Sequence, residues 1–323
     1  MGIKEDLKDI LTDKYISGTE IAKQLGVTRQ YVSRSVKDLQ EDGIQIDVDQ
    51  RNGYRLSPNQ DIMTVKKISS LLNTKYIGKK LYVLDEIDST NNYAKELAKE
   101  NAPEGTLVIS DCQTGGKGRM GREFVSPHNA GLYYSVILRP KLAFPDSQLI
   151  TSAAAVAVAE TIDEVCNVNT KIKWVNDIFL NNRKICGILT EGGLSVESGL
   201  LEYAVCGIGI NVFESKAYSG LENNSIATTI ETETGKRFSR NKIAAVLSNK
   251  LEKNLEELHS RKFLTVYRKK SNIINQPVIV TINGEEKNAI AIGIDDNASL
   301  IVKFENDEIK HLNSGEARIR KNL

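Results

Sequence analysis

The stretch Lys171–Gly193, KIKWVNDIFLNNRKICGILTEGG, predicts paired β-strands that follow each other directly along the chain. Two apolar runs, rich in β-branched and aromatic residues, flank Asn181–Asn182, a dipeptide typical of tight turns. The stretch Leu201–Phe213, LEYAVCGIGINVF, predicts a further strand soon afterwards. Strands that follow one another, rather than alternate with helices, favour an α+β fold with a mixed sheet over a doubly wound fold.

The rest of a central domain at residues 65–272 is compatible with this sheet. The segment STNNYAKELAKEN predicts a helix capped by Ser89 or Thr90. The segment Ser147–Cys166 is almost entirely apolar, which indicates a buried helix. The remaining strands are predicted at 80–87, 105–112 and 131–139, and the remaining helices at 239–259 and about 261–272.

Residues 1–60 predict a winged helix-turn-helix domain that binds DNA. Three helical segments precede IQIDVDQRNGYRL, in which alternating residues surround Asn52–Gly53, the strongest short hairpin signal. A helical hairpin used for protein contacts is the alternative. Residues 38–49 are acid-rich, so a single copy is expected to bind DNA weakly. The candidate DNA-binding residues are Thr19, Thr28, Arg29, Gln30, Ser33, Arg34, Lys37 and Arg51.

Residues 275–323 predict a third, smaller domain. Short runs such as PVIVTING, NAIAIGIDD and ASLIVKF alternate with turn residues. Roughly 45 residues of this kind predict a small β-barrel.

Bulk composition excludes several classes of protein. The 323 residues carry a formal net charge of +1, so any basic site must be local. No stretch approaches the roughly 20 apolar residues that span a bilayer, and the charged start MGIKEDLKDI is not a signal peptide. The 4 cysteines occur singly in apolar runs, which is typical of buried reduced thiols in the cytoplasm. With no Cys-x-x-Cys pair and no His at ligand spacing, no side chains are predicted to bind a metal.

The segment Gln113–Arg122, QTGGKGRMGR, combines glycines with the cations Lys117, Arg119 and Arg122. Successive backbone N–H groups in a glycine-rich turn can surround an anion, and the cations would add charge-assisted hydrogen bonds. The segment lacks the Lys-Ser/Thr ending of a Walker A loop and the helix that follows a Rossmann fingerprint. A phosphate or carboxylate site and a solvated basic hairpin loop both remain compatible with these residues.

Three other segments carry polar residues at the ends of predicted elements. In KWVND and RKICG, pairing of the strands would bring a lysine and a carboxylate to one pocket, where they could stabilise negative charge and orient an amine. A hairpin with a polar face is the alternative. Gly207 and Gly209 in GIGIN indicate a bulge or a ligand lying against the strand. In DSTNNYA, hydroxyl and amide groups lie at a helix N-terminus, where ordinary capping is the alternative.

Taken together and in this order, these segments resemble bacterial biotin–protein ligases of the bifunctional BirA type, which also repress the biotin operon. STNNYA is similar to the family's Ser-Thr-Asn segment, and QTGGKGRMGR to its Gly-Arg-Gly-Arg-x-Gly-Arg loop. KWVND with RKICGIL is similar to its Lys-Trp-Pro-Asn-Asp and Lys-x-x-Gly-Ile-Leu segments, and GIGIN to its Gly-x-Gly-x-Asn strand. The resemblance implies a class II synthetase-like central domain and a C-terminal SH3-like barrel.

The resemblance also implies an activity and its residues. Such ligases form biotinyl-5′-AMP from biotin and ATP, with Mg²⁺ expected, and transfer biotin to a lysine of a biotin carboxyl carrier protein. The adenylate promotes a homodimer that binds operator DNA. Implied biotin contacts are Ser89, Thr90, Asn91, Gln113, Lys117, Gly118, Arg119 and Lys184. Implied nucleotide contacts are Lys117, Arg119, Arg122, Asn176, Gly187, Gly207, Gly209, Asn211 and Arg320. Implied catalytic residues are Arg119, Lys173, Asp177 and Lys184.

Two positions depart from the family pattern. Lys117 stands where Arg is usual, which keeps the charge but loses bidentate geometry. Val175 stands where Pro is usual. Two other functions are also compatible with the sequence: a lipoate or octanoate ligase or transferase on a related fold, and a ligand-sensing DNA-binding repressor without ligase activity.

Overall fold

The computed structural model describes residues 3–58, 60–143, 146–194, 199–218, 226–282, 284–313 and 315–320. The chain begins with a small helical unit whose apolar side chains form a core of their own. Ser17 and Thr28 cap the second and third helices, and Gly26 ends the second helix in the left-handed conformation. The elements are α1 (Ile3–Ile10), α2 (Gly18–Leu25), α3 (Arg29–Glu41), β1 (Ile46–Asp49) and β2 (Gly53–Leu56).

A short connection joins this unit to the central part of the chain. It contains α4 (Val65–Ser69), which the sequence analysis did not predict. The Lys67 ammonium donates a hydrogen bond to the carbonyl of Lys8 at 2.9 Å, and Lys8 Nζ lies 3.1 Å from Asp85 Oδ1. The end of α1 is therefore held against the central part by charged side chains.

The central part contains a seven-stranded mixed sheet with the strand order β3-β4-β5-β9-β8-β7-β6. Strands β3 and β4 are parallel, and all other neighbours are antiparallel. The mixed α+β sheet predicted by the sequence is confirmed. Its strands are β3 (Leu81–Ile87), β4 (Leu107–Gln113), β5 (Gly131–Leu138), β6 (Lys171–Lys173), β7 (Asp177–Leu180), β8 (Arg183–Leu194) and β9 (Leu201–Asn211).

Helices cover both faces of this sheet. Leu107 and Ile109 lie in the large core, whereas Val108 lies in the smaller core with Ala94 and Ala98, as strand alternation requires. The short helix at 230–234 was not predicted. The helices are α5 (Thr90–Lys99), α6 (Ser147–Cys166), α7 (Ile230–Thr234), α8 (Arg240–Glu256) and α9 (Phe263–Lys270).

The segment that decided the fold prediction forms three strands rather than two, because the chain turns at Trp174–Asn176 between β6 and β7. Asn181 and Asn182 both adopt left-handed backbone conformations, with φ of 48° and 64°, and connect β7 to β8 as predicted. Ser89 caps α5 by accepting a hydrogen bond from the Asn92 N–H.

The C-terminal strands form a five-stranded antiparallel sheet in the order β13-β12-β11-β10-β14. Val278, Val280 and Leu300 belong to the same core as the central sheet. The small unit of short strands predicted by the sequence is confirmed in this form. Its strands are β10 (Pro277–Ile282), β11 (Glu285–Ile294), β12 (Leu300–Phe304), β13 (Ile309–Leu312) and β14 (Glu316–Ile319). Among the described residues, no helix combines the length and apolar character that crossing a membrane requires.

Candidate functional site

One cavity on the central sheet brings together most of the residues singled out from the sequence. The cavity is also lined by residues of the C-terminal sheet, including Thr281, Glu286 and Arg318. The predicted residues that line it are Ser89, Thr90, Asn91, Gln113, Lys117, Gly118, Arg119, Arg122, Lys173, Asn176, Asp177, Lys184, Gly187, Gly207 and Gly209.

A row of hydrogen bonds organises the part of the cavity at the N-terminus of α5. Gln113 Oε1 accepts hydrogen bonds from the Thr90 N–H at 2.8 Å and the Thr90 hydroxyl at 3.0 Å. Ser135 Oγ lies 2.7 Å from both Thr90 Oγ1 and Asn91 Oδ1. Ser135 was missed by the sequence analysis, because a serine in the middle of an apolar strand gives no local signal. These groups are buried or half-buried, so their orientations are set before any ligand arrives.

Asn91 is held from a second direction by an acidic side chain. Its Nδ2 donates to Glu191 Oε2 at 2.8 Å, and Lys95 Nζ lies 2.8 Å from Glu191 Oε1. Burial raises the pKa of the Glu191 carboxyl, but hydrogen bonds from Lys95 and Asn91 outweigh it, so the pKa lies below its ordinary value. Glu191 is therefore ionised at neutral pH and keeps the Asn91 amide nitrogen turned away from the cavity row.

Close contacts explain why the GIGIN segment has glycine at positions 207 and 209. A Cβ at Gly207 would lie 2.1 Å from Asn91 Oδ1, and a Cβ at Gly209 would lie 2.5 Å from the Phe124 ring. From the residues alone, the sequence analysis left open a bulge or a ligand lying against this strand. The structure places Asn91 and Phe124 against these two glycines, and all four residues line the cavity. Phe124 was missed because it follows the glycine-rich segment in an irregular stretch without periodicity.

A β-bulge brings the cavity lysine and carboxylate together. Strand β7 pairs with β8 so that Ile178 opposes Cys186 but Phe179 opposes Lys184, which leaves Ile185 as the extra residue. In a regular pairing Lys184 would point to the face opposite Asp177, since side chains alternate. The bulge turns Lys184 to the face of Asp177, and Lys184 Nζ lies 2.7 Å from Asp177 Oδ1.

Lys173 lies on the same face of the sheet. It opposes Asp177 in the pairing of β6 with β7, and its ammonium lies 5.8 Å from the centroid of the Phe179 ring. The peptide bond between Trp174 and Val175, the position at which Pro is usual in the family, is cis.

Two of the three cations of the glycine-rich loop, Lys117 and Arg119, lie in different surroundings. Lys117 is exposed, and its ammonium donates to Asn92 Oδ1 at 3.1 Å. Arg119 is half-buried; Nη1 donates to Asn176 Oδ1 at 3.1 Å and Nη2 to the Gly315 carbonyl at 3.3 Å. Arg119 therefore joins the loop both to the central sheet and to the C-terminal sheet.

Two predicted nucleotide contacts lie outside this cavity. The Asn211 side chain donates to the Thr228 carbonyl at 3.1 Å and lines a separate cavity together with Arg183. The exposed Arg320 donates its backbone N–H to the Pro277 carbonyl at 2.9 Å. Arg318, two residues earlier, lines the main cavity and pairs with Glu286 at 2.7 Å. The sequence analysis singled out Arg320 and not Arg318, which lies opposite Ile279 in the pairing of β10 with β14.

The N-terminal unit carries the predicted DNA-binding residues on α2 (Thr19), at the start and along the length of α3, and in the turn between β1 and β2. All of these residues are exposed except Ser33, which is half-buried. Thr28 also caps α3, accepting from the Tyr31 N–H at 3.2 Å. Arg51 lies in the β1–β2 turn, where Asp49 accepts its backbone N–H at 2.8 Å. Tyr31, 49% exposed, lies on α3 and was not singled out from the sequence.

Three family models match the chain in the same order as its structural parts. A helix-turn-helix domain model matches residues 5–55. The model of the biotin/lipoate A/B protein ligase family matches residues 83–211, and that of the biotin protein ligase C-terminal domain matches residues 273–320.

Curated proteins and solved structures extend this similarity. The bifunctional ligase/repressor BirA of Bacillus subtilis (strain 168) is 36% identical over 241 residues, which cover 74% of this chain and 74% of that protein. BirA of Escherichia coli (strain K12) is 29% identical over 310 residues, covering 95% and 94%. The structure of the biotin protein ligase from Aquifex aeolicus in complex with biotin and ATP matches with a TM-score of 0.63 and 27% identity, covering 76% of this chain and 100% of that one. This chain therefore belongs to the family of bifunctional biotin protein ligase/repressors of the BirA type.

Proposed function

We propose that this chain is an ATP-dependent biotin–[biotin carboxyl carrier protein] ligase, the biotin–[acetyl-CoA-carboxylase] ligase activity, and a biotin-responsive repressor of biotin genes. The observation that carries the ligase proposal is the single cavity in which a row of neutral hydrogen-bonding groups adjoins the cations Arg119 and Lys184. A neutral polar row suits the ureido ring of biotin, and the cations suit a carboxylate and phosphates.

Biotin binding is assigned to the α5 end of the cavity. Ser89, Thr90, Asn91 and Gln113 offer hydroxyl and amide groups there, and the network through Ser135 holds them in place. Phe124 packs against Gly209 and also lines the cavity. The biotin carboxylate then points toward Lys117, Gly118 and Arg119.

In the first step a carboxylate oxygen of biotin attacks the α-phosphorus of ATP. A carboxyl–phosphate bond forms, the bond to the β-phosphate oxygen breaks, and pyrophosphate leaves. Lys184 exchanges its contact with Asp177 for the phosphate and carbonyl oxygens, and Arg119 balances charge on the other side. Arg122, Asn176, Gly187 and Arg318 border the nucleotide side of the cavity. Asn211 and Arg320 stay predictions for nucleotide contact.

In the second step the amine of the acceptor lysine attacks the carbonyl carbon of the mixed anhydride. An amide bond forms, AMP leaves with the electron pair of the broken bond, and the surplus proton of the amine passes to solvent. Asp177 and Lys173, which oppose each other on β7 and β6, are placed to orient the amine.

Mg²⁺ is expected to accompany the phosphates of ATP. Asp177 fits this ion, since its carboxylate lines the cavity and Mg²⁺ takes carboxylate and phosphate oxygens. The ion would offset charge on the leaving pyrophosphate.

The repressor role is assigned to the exposed face of α3 and the β1–β2 turn. The N-terminal unit lacks a strong positive charge, so one copy would bind DNA weakly. A homodimer formed when the adenylate is bound would place two copies on the operator and double the contacts. We place the protein in the cytoplasm, where carrier protein and DNA are both present.

The ligase proposal is tested by incubating the full chain with biotin, ATP, Mg²⁺ and a carrier domain. We expect one biotin per carrier and one pyrophosphate per biotin. The matched control is a carrier whose acceptor lysine is replaced by arginine. With this carrier, the ligase should release only one pyrophosphate per chain, the amount that accompanies one bound adenylate. Lipoate and octanoate serve as comparison substrates. Labelling by either of these at a rate equal to that of biotin, or no labelling at all, would overturn the proposal.

A further inference from the structure

The glycine-rich loop is flanked by two residues that can bind metal ions. Cys112 precedes the loop at the end of β4, and His128 follows it just before β5. Between them, the Gln113 N–H donates to the Ser126 carbonyl at 3.0 Å, so the two ends of the loop lie side by side. Glu86 of β3 opposes Cys112 in the parallel pairing of β3 with β4. The fold thus places a thiol, an imidazole and a carboxylate at the base of the loop.

The distances within this group are close to those of a metal site. The Cys112 Sγ, one ring nitrogen of His128 and a carboxylate oxygen of Glu86 all lie within 4.8 Å of one another. His128 Nε2 lies 3.0 Å from Glu86 Oε2. Bond lengths of about 2.0–2.3 Å to zinc place neighbouring tetrahedral ligand atoms about 3.3–3.7 Å apart. Small side-chain rotations would therefore suffice to surround an ion.

The imidazole is already oriented by a carboxylate on its other side. His128 Nδ1 lies 3.2 Å from Asp111 Oδ2, which also accepts the Asn129 N–H at 3.0 Å. The other oxygen of Asp111 accepts a hydrogen bond from Arg240 Nη1 at 2.7 Å, and Arg240 is 1% exposed. A carboxylate that holds Nδ1 of a histidine and leaves Nε2 for a metal is a common outer-shell arrangement of zinc sites.

The group also stands apart from the other thiols. Cys166, Cys186 and Cys206 lie in the large apolar core. Within the described part of the chain, Glu86, Cys112 and His128 are the one set of three potential ligands found this close together. Glu86 and His128 are both exposed, so an ion can reach the largely buried thiol between them.

We propose that Cys112 Sγ, His128 Nε2 and Glu86 Oε2 form a binding site for Zn²⁺ or a similar thiophilic divalent cation, with water as the fourth ligand. On binding, the thiol releases its proton to solvent and the hydrogen bond between His128 and Glu86 is replaced by two metal bonds. Sulfur and nitrogen ligands select against Mg²⁺, so this ion is distinct from the one that accompanies ATP. The sequence analysis predicted no metal site, because Cys112 and His128 lie too far apart along the chain to form a recognised ligand spacing.

A bound ion would have a structural consequence for the loop. It would join the residue before the loop to the residue after it and tie both to β3, which restricts the conformations of residues 113–127. The site lies outside the ligase cavity, since none of Glu86, Cys112 and His128 lines it. The proposal is therefore independent of the ligase assignment.

The test uses Co²⁺ as a spectroscopic substitute for Zn²⁺ on the full-length, metal-free protein. We expect one Co²⁺ per chain with a thiolate-to-cobalt charge-transfer band, and displacement of that band by one equivalent of Zn²⁺. Cys112→Ser should abolish the band, and His128→Asn and Glu86→Gln should each weaken binding at least tenfold. The matched controls Cys166→Ser and His311→Asn remove the same groups elsewhere and should leave the titration unchanged. No charge-transfer band in the wild type, or an equal band in Cys112→Ser, would overturn the proposal.

The consequence for the loop is measured separately by limited trypsin digestion followed by mass spectrometry. Zn²⁺ should slow cleavage after Arg119 and Arg122 in the wild type but not in Cys112→Ser. Equal rates in the presence and absence of Zn²⁺ would overturn the restriction of the loop.

Discussion

The recognition face of α3 and the cavity on the central sheet both present cations, but they are assembled over different distances along the chain. Arg29, Arg34 and Lys37 come from one helix and are exposed. Arg119 and Lys184 come from a loop and from β8, and each already contacts polar atoms of another segment. Cations in water keep their hydration until a ligand arrives, whereas cavity cations exchange one fixed partner for another. Substitutions on α3 should therefore have small, additive effects, and substitutions in the cavity large ones.

The largest expected effect is that of Lys184→Met, which keeps the bulk of the side chain but removes the charge that faces Asp177. Loss of one preorganised electrostatic group typically lowers a rate about 10²–10³-fold, and we expect this for formation of the adenylate. Single-turnover release of pyrophosphate measures it.

Lys171→Met is the matched control for this variant. It makes the same change at an exposed position of strand β6, two strands away from β8 in the sheet, and the rate should stay within about twofold of the wild type. If Lys184→Met lowers the rate of adenylate formation by less than about tenfold, substitutions in the cavity do not have the larger effects expected relative to those on α3.

The second effect concerns Arg119→Gly, which removes the bridge from the loop to Asn176 and Gly315. Hydrogen bonds of a charged group contribute about 1.5–3 kcal/mol, so the adenylate should escape about 10–100 times faster. The half-life of the complex with labelled biotinyl-AMP measures the escape, and labelling of an unrelated protein measures its consequence.

Met120→Gly controls for added flexibility in the same turn. Met120 is 71% exposed and has a φ of 57°, a conformation that glycine adopts without strain. If Met120→Gly releases adenylate as fast as Arg119→Gly, the guanidinium is not what retains it.

A smaller effect is expected on the helix face. Arg34→Ala and Lys37→Ala should each weaken binding to duplex DNA and reduce the slope of log K against log salt by about 1 if the side chain contacts a phosphate. Fluorescence anisotropy over a range of salt concentrations, with biotin and ATP present, measures both quantities.

Ligation and DNA binding should separate in these variants. Ligation rates in both should equal that of the wild type, because the α3 side chains lie far along the chain from the cavity residues and do not line the cavity. Lys262→Ala, at an exposed position before α9, is the control for loss of one positive charge. An unchanged salt slope in both α3 variants would argue against this face as the DNA contact.

The smallest expected effect is that of Lys117→Arg, which restores the residue usual in the family. Lys117 is exposed and contacts only Asn92 among the hydrogen bonds described. A guanidinium can bind a carboxylate or phosphate in a bidentate way, so adenylate retention should lengthen a few-fold. Lys117→Gln removes the positive charge and should shorten the time for which the adenylate is retained. Equal retention in all three proteins would show that position 117 does not contact the adenylate.

Local patterns in the sequence predicted most of the helices and strands. Thr28 and Ser89 cap helices because their hydroxyls reach backbone N–H groups three residues later, and Asn181–Asn182 adopts left-handed conformations between two strands. The short helices α4 and α7 were missed because five residues are too few to show a helical period. The bounds 1–60, 65–272 and 275–323 remain predictions of domain limits.

The sequence by itself determined the order of the three parts, the α+β character of the central sheet and the chemical groups available for the cavity. These depend on residue types and on spacings within about 20 residues, over which helix and strand periods are regular. Only the tertiary structure decided which groups meet. The bulge at Ile185 turns Lys184 toward Asp177, the packing of Asn91 and Phe124 explains Gly207 and Gly209, and the pairing of β14 with β10 brings Arg318 to the cavity. The tertiary structure also brings Glu86, Cys112 and His128 together. Contacts between distant segments depend on strand pairing, which no local spacing in the sequence encodes.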